Sequence, residues 1–321
     1  MMRKSVTPTI EGGLLVAITV ILGLVSVYVP IIGLFVEFFC AVPLAVLTAR
    51  QGAGKGFSAL VVVLILMIIL IGPLMALQLT LSFGLCGVAL GWCFRKNFGA
   101  VKIFLATLLA SSAAQILAVA LLMLIMDVNI IETQIDLVRE SFAESFNFYE
   151  SMGVDQTQLA QAKGQVEPML QAIAMLVPTI IMFAALINTT AIWFTSKWIF
   201  SKLQMKFPTF PAFAEWKFPV IFMYTAAFGA LGIYWGFTRG WTLIYEVSLN
   251  LTIISMLVGL VQGLSLLSFV LARHNVTKFL RWLLYALIML NMFLVQLVAI
   301  TGLVDMIFDY RKRLFKDNDS D

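Results

Sequence analysis

The chain has 321 residues, of which 61% are hydrophobic and only 12% charged, and its mean hydropathy is +1.00. An ordinary globular chain is about 45–50% apolar and about 25% charged, so a water-facing surface of normal size is excluded. The net charge of +4 does not signal nucleic acid, because the basic residues sit in short stretches between apolar runs, as in the cytoplasmic loops of membrane proteins.

In chain order, nine apolar segments cover roughly 10–29, 31–49, 56–73, 77–94, 101–126, 168–196, 218–237, 243–272 and 280–303. Crossing a hydrocarbon core of about 30 Å takes about 20 such residues. The expected architecture is all-α: a polytopic integral membrane bundle of eight or nine transmembrane helices, with an amphipathic extracytoplasmic helix. The first segment, preceded by Arg3 and Lys4, reads as a retained span, because no small-residue cleavage site follows it.

Arg3 and Lys4 place the N-terminus in the cytoplasm. Alternating spans then bring Arg50 and Lys55, Arg95, Lys96 and Lys102, Lys197 to Lys217, and Arg273, Lys278 and Arg281 to the same side. The stretch 127–167 falls outside. It carries Asp127, Glu132, Asp136, Glu140, Glu144, Glu150, Asp155 and Glu167 against Arg139 and Lys163. Within it Ile131, Ile135, Val138, Phe142, Phe146 and Tyr149 recur every three or four residues, which predicts one amphipathic helix over about 128–166. Nine crossings would put the basic tail (Arg311, Lys312, Arg313, Lys316) outside. Eight crossings plus one re-entrant or interfacial segment keep it inside, without saying which segment fails to cross.

Pro208, Pro211 and Pro219, interleaved with Phe207, Phe210, Phe213 and Trp216, interrupt helix over 197–217. The chain is accordingly read as two regions, 1–200 and 201–321. The stretch 302–315 reads as a helix leaving the membrane, with Asp305 and Asp309 at helical spacing from Arg313 and Lys312.

Signals for catalysis are absent. Gly52 to Gly56 resembles a phosphate loop, but Ala49 and Gly56 stand where glycine and a hydroxyl residue are needed. The single histidine, His274, cannot build a His-Glu-x-x-His zinc site. Cys40, Cys86 and Cys93 lie in apolar segments without metal or disulfide spacing. The expectation is therefore a protein that is not an enzyme, with no metal and no cofactor.

Polar groups within spans remain. Glu37, among Phe35, Val36, Phe38 and Phe39, is either a ligand or coupling residue or a carboxylate near the outer interface, since Pro30 is close. Glu246 invites an ion pair with Arg239. Gln78, Gln115, Asn188, Asn250, Gln262, Asn291 and Gln296 are suited to helix–helix hydrogen bonds. Glu37, Gln115 and Asn188 are the ligand-binding candidates. Gly12, Gly13 and Ala17 in the first segment, and Gly84, Gly87 and Gly91 in the fourth, form small-residue faces for close helix contact, within the chain or with another chain.

The stretches EGGLLVAITVIL at 11–22, VPLAVLTARQGAGKG at 42–56, WKFP at 216–219 and GLVDMIFDYRKRL at 302–314 resemble the YybS-like membrane proteins, a bacterial family without assigned function. Region 1–200 is more distantly similar to the S components of energy-coupling-factor vitamin transporters. Gly13 and Ala17 match that family's small-residue face, and Pro43, Gly52 and Gly56 its following proline and glycine-bounded turn. The resemblance implies that this face contacts a coupling subunit and that a small solute binds from outside. Two functions follow as expectations. One is a transporter-type subunit of the bacterial cell membrane that binds a small solute. The other is a structural or regulatory scaffold that docks envelope proteins. The lipid bilayer is a partner in both, and nucleic acid in neither.

Overall fold

The computed structural model describes residues 7–313. Arg3 and Lys4, and Leu314, Lys316, Asp317, Asp319 and Asp321 of the tail, lie outside the described residues. The elements are α1 (Pro8–Tyr28), α2 (Ile32–Gln51), α3 (Ala53–Ile71), α4 (Pro73–Arg95), α5 (Ala100–Met126), α6 (Ile130–Ser151), α7 (Gln156–Met175), α8 (Val177–Lys202), a 3-10 turn (Phe213–Glu215), α9 (Ile221–Arg239), α10 (Thr242–Arg273), α11 (Lys278–Leu290), α12 (Met292–Phe308) and α13 (Tyr310–Arg313). Eight helices, α1 to α5 and α8 to α10, are long and apolar enough to cross a membrane, and α11 and α12 together form a broken ninth segment bent by 107°. The chain is a multi-pass helical membrane bundle.

The described chain divides into two compact units. The first runs up to Ala174 and adds Ile180–Thr209, and the second joins Met175–Thr179 to the chain from Phe210 onward.

The first unit is built around α2, whose residues 40 to 49 are all buried. Gly87 and Gly91 of α4 lie against the Ala41 and Ala45 carbonyls of α2, with no room for a Cβ, so the small-residue face of the fourth span is spent within the chain. Pro43 sits inside α2 and removes one backbone donor. The Thr195 hydroxyl of α8 lies 3.2 Å from the Phe38 carbonyl, next to the Phe39 carbonyl that Pro43 leaves without its helical donor, and 3.0 Å from the Ala191 carbonyl of its own helix. The basic turns collect at one end. Arg50 pairs with Glu11, and Arg95 donates 2.6 Å to the Arg50 carbonyl. Phe207 stacks on Phe94 and meets Trp193 and Phe200 edge-on at that end. Gly52 alone separates α2 from α3 and takes φ +98°, a conformation that side chains disfavour.

The acidic outer stretch differs from the single helix expected. α6 and α7 form an antiparallel hairpin, with Gly153 at φ +78° in the turn. Asp155 accepts from the Thr157 amide (2.8 Å) and hydroxyl (2.6 Å), and these bonds hold its carboxyl below the ordinary range. Arg139 joins Asp136 and Glu167, and Lys163 pairs with Glu150 at 2.7 Å. Phe142 and Phe146 stack on each other and are half-buried.

In the second unit α9 and α10 are antiparallel. Gly229 meets Ser248 and Thr252, and Gly236 meets Tyr245. α12 lies hard against α10, where Gly302 faces the Gly259 carbonyl and the Gly263 amide. Asn250 of α10 accepts from the Thr179 amide (3.0 Å) and hydroxyl (2.6 Å) and donates to the Met175 carbonyl (2.8 Å). Asn291 breaks the ninth segment: its Oδ1 accepts from the Phe293 and Leu294 amides and caps α12. Arg239 does not meet Glu246 as expected. It stacks on Trp241, with 5.4 Å to the ring centroid, and among the described residues no ion pair joins it to Glu246.

Candidate functional site

Each unit carries a polar centre in addition to its helix–helix contacts. In the first unit it is Asn188, in the middle of α8. Its amide donates 3.2 Å to Ser111 Oγ of α5 and lies 4.0 Å from Cys86 Sγ of α4. Three further hydroxyls, Thr80 on α4 and Thr189 and Ser196 on α8, are fully buried and have no hydrogen-bond partner among the described residues. A threonine or serine in a helix ordinarily bonds back to its own backbone, as Thr107 does to the Ile103 carbonyl at 2.8 Å. Thr189 and Ser196, seven residues apart, share one face of α8. Together these groups leave hydrogen-bonding capacity open inside an apolar bundle.

The three ligand candidates do not converge on one point. Gln115 lies one turn from Ser111 on the same face of α5, is half-buried, and makes no hydrogen bond among the described residues. Glu37 is half-buried in the second turn of α2. Among the described residues it has no ion pair or hydrogen bond, and none joins it to Asn188 or Gln115. By the helical rise its Cα stands within about 10 Å of the start of α2, a position near the end of the bundle rather than at mid-depth. Gly13 and Ala17 are exposed, and nothing lies within 4 Å of a Cβ built at Gly13. The neighbouring Gly12, Thr19 and Gly23 face inward instead. Helix packing within the chain therefore uses another face of α1.

The second unit holds a polar clasp. Gln262 of α10, 2% exposed, accepts 3.1 Å from the Phe218 amide and donates 2.6 Å to Asp305 Oδ2. Asp305 Oδ1 accepts 2.9 Å from the Tyr310 amide. Arg311 donates to the Ala214 carbonyl (2.6 Å) and to Ser265 Oγ (2.9 Å), while Ser265 donates to the Phe213 carbonyl at 2.6 Å. Asp309, in the left-handed conformation, ends α12 and pairs with Lys217 (2.8 Å) and Lys312 (3.3 Å). The hydrogen bond from Lys217 is the main reason its carboxyl titrates below the ordinary range. Burial lowers the Arg311 guanidinium from its usual value, and Asp305 and Asp309 offset part of that.

This clasp corrects the expected tail helix. The helix is interrupted at Asp309 and resumes over Tyr310–Arg313; Asp309 makes an ion pair with Lys312 at the expected spacing, whereas Asp305 is turned inward to Gln262 and the Tyr310 amide. The clasp also fixes where the broken segment ends. α11 begins beside the end of α10, and Asp309 returns to Lys217, just before α9. Because α9 and α10 are antiparallel, both ends of the α11–α12 arm lie at the same, basic end of this unit.

Sequence reading named Asn188 but missed Ser111, Cys86, Thr80, Thr189 and Ser196, since small hydroxyl residues are common in spans and carry no pattern. It read Asp305 and Arg311 as part of a helix leaving the membrane. The available signal was that Asp305 is the first acidic residue after Glu246. No three His, Cys, Asp or Glu side chains among the described residues are grouped to hold a metal ion.

The description "Predicted membrane protein (DUF2232)" matches residues 17–306. The chain is 23% identical over 319 residues to the uncharacterized protein YybS of Bacillus subtilis (strain 168), an alignment covering 97% of this chain and 99% of that protein. No solved structure matches it. The chain belongs to the DUF2232 family of predicted membrane proteins.

Proposed function

We propose that the chain is a non-enzymatic, transporter-type subunit of the bacterial cell membrane whose first unit binds a small, hydrogen-bonding solute. The observations that carry this reading are the Asn188–Ser111 pair and, on the same helix α8 and on α4, buried hydroxyls at Thr189, Ser196 and Thr80 that have no hydrogen-bond partner among the described residues. Buried polar groups in an apolar bundle are costly unless paired, and a solute supplies the missing partner. The exposed Gly13–Ala17 face supports a second element of the proposal, a coupling chain docked on α1, as the S-component resemblance implies.

The test is purification in mild detergent from native membranes, followed by mass spectrometry of retained small molecules and proteins. A stoichiometric solute, retained about tenfold less well by Asn188→Ala through the loss of one hydrogen bond, is the expected result. A fully folded protein that retains no solute would overturn it.

A scaffold role is the second reading. Phe148, Tyr149 and Met152 stand 62%, 49% and 65% exposed near the tip of the α6–α7 hairpin. Phe142 and Phe146, by contrast, are half-buried. Docking there predicts that Phe148→Ser with Met152→Ser abolishes crosslinks to an envelope partner, whereas changes at Phe142 act through folding.

A further inference from the structure

α11 turns the wrong way for a helix resting on water. Arg281, Leu284, Tyr285 and Ile288 form its inner face, with Arg281 Nε donating 2.9 Å to the Val276 carbonyl. Outward point Phe279, Trp282, Leu283, Leu287 and Leu290, from 51% to 88% exposed. Such a surface belongs in lipid. At about 1.5 Å per residue, 13 residues reach only about 20 Å, less than the about 30 Å of a hydrocarbon core. Since the arm leaves and returns to the basic end, α11 is immersed mainly in the leaflet on that side.

On the second half of this helix lies an open hollow of about 460 Å³, lined by Leu283, Ala286, Leu287, Leu290 and Asn291. Leu283, Leu287 and Leu290 follow helical spacing, and one turn earlier the same line reaches Phe279, beside Lys278. At that end Arg273, His274, Lys278 and Arg281 fall within nine residues, and no acidic residue occurs between Glu246 and Asp305. Trp282, 73% exposed, is the kind of side chain that sits at headgroup level. An apolar hollow with the basic residues Lys278 and Arg273 on the chain before it is complementary to one amphiphile class.

We propose that the α11 groove holds an acyl chain of an anionic phospholipid whose headgroup pairs with the cations at the start of α11. The surface thereby fixes the re-entrant arm in the leaflet at the basic end, and it selects lipid by net charge.

The test uses the purified full-length chain, stripped of lipid in detergent, with phosphatidylglycerol or phosphatidylcholine of identical acyl chains, read by native mass spectrometry. Phosphatidylglycerol is retained preferentially, and Lys278→Gln reduces that preference about fivefold. Leu287→Trp fills the groove and lowers retention of phosphatidylglycerol without moving the unfolding temperature of the lipid-free protein. Equal retention of the two lipids, or retention unaffected by both substitutions, overturns the proposal. So does a lipid-free dimer that Leu287→Trp converts to monomer, because the groove would then be covered by a second copy.

Discussion

Asp305 shows how one carboxylate sets local structure. Its two oxygens take up the Gln262 amide and the Tyr310 backbone N–H, and it is 3% exposed. Asp305→Ala leaves both donors without an acceptor, at a cost of about 1–3 kcal/mol for each. Thermal unfolding in detergent should therefore fall by several degrees, and Asp305→Asn, which keeps one acceptor, should fall less. An unchanged unfolding temperature for Asp305→Ala would contradict the clasp. Asp309 adds a pH dependence of definite sign. Its folded-state carboxyl is held below the ordinary value by Lys217 and Lys312, so its contribution is present above the unfolded pKa and is lost as pH falls through the folded one. Protease protection of the Asp309–Arg313 stretch is therefore expected to persist from neutral pH to about pH 5 and to fade only in stronger acid. Lys217→Met should move that loss to higher pH.

The helices themselves were largely legible, because a run of about 20 apolar residues has few other fates. Where the reading ran through a break, the pattern of hydropathy was intact and a single residue decided. Asn291 interrupts an apolar segment without changing its hydropathy. Its position, an Asn just before an apolar run, is that of an N-cap, and that was the sequence signal for the bend. Asn291→Ala removes the acceptor for the Phe293 and Leu294 amides and should cost about 1 kcal/mol, read as faster hydrogen exchange in the first turn of α12. Gly153 and Asp155 likewise mark the α6–α7 turn, a signal overshadowed by the helical stripe. Glycine contacts are the most sensitive element joints. Gly302→Leu would drive a side chain into α10, where no Cβ fits, and should cost at least about 1–3 kcal/mol. Gly13→Leu, on an exposed face, should leave the stability of the isolated chain unchanged.

For the molecule as a whole, charge distribution gives an expected orientation and leaves one crossing ambiguous. The count turns on the 107° bend and on the Asp309–Lys217 pair, a contact between residues far apart in sequence that no local pattern encodes. The same holds for Asn188 and Ser111, whose pairing depends on which spans become neighbours. Within the second unit the clasp returns the arm to the end from which it left, so the arm is re-entrant, and with the orientation expected from the basic residues Lys312 is predicted on the cytoplasmic side. Cysteine labelling with a membrane-impermeant reagent tests this directly, since Cys40, Cys86 and Cys93 are buried and give a low background. Gly153→Cys, at the hairpin tip, should label in intact cells, and Lys312→Cys only after permeabilisation. Labelling of Lys312→Cys in intact cells would mean that the arm crosses the membrane and would contradict the account.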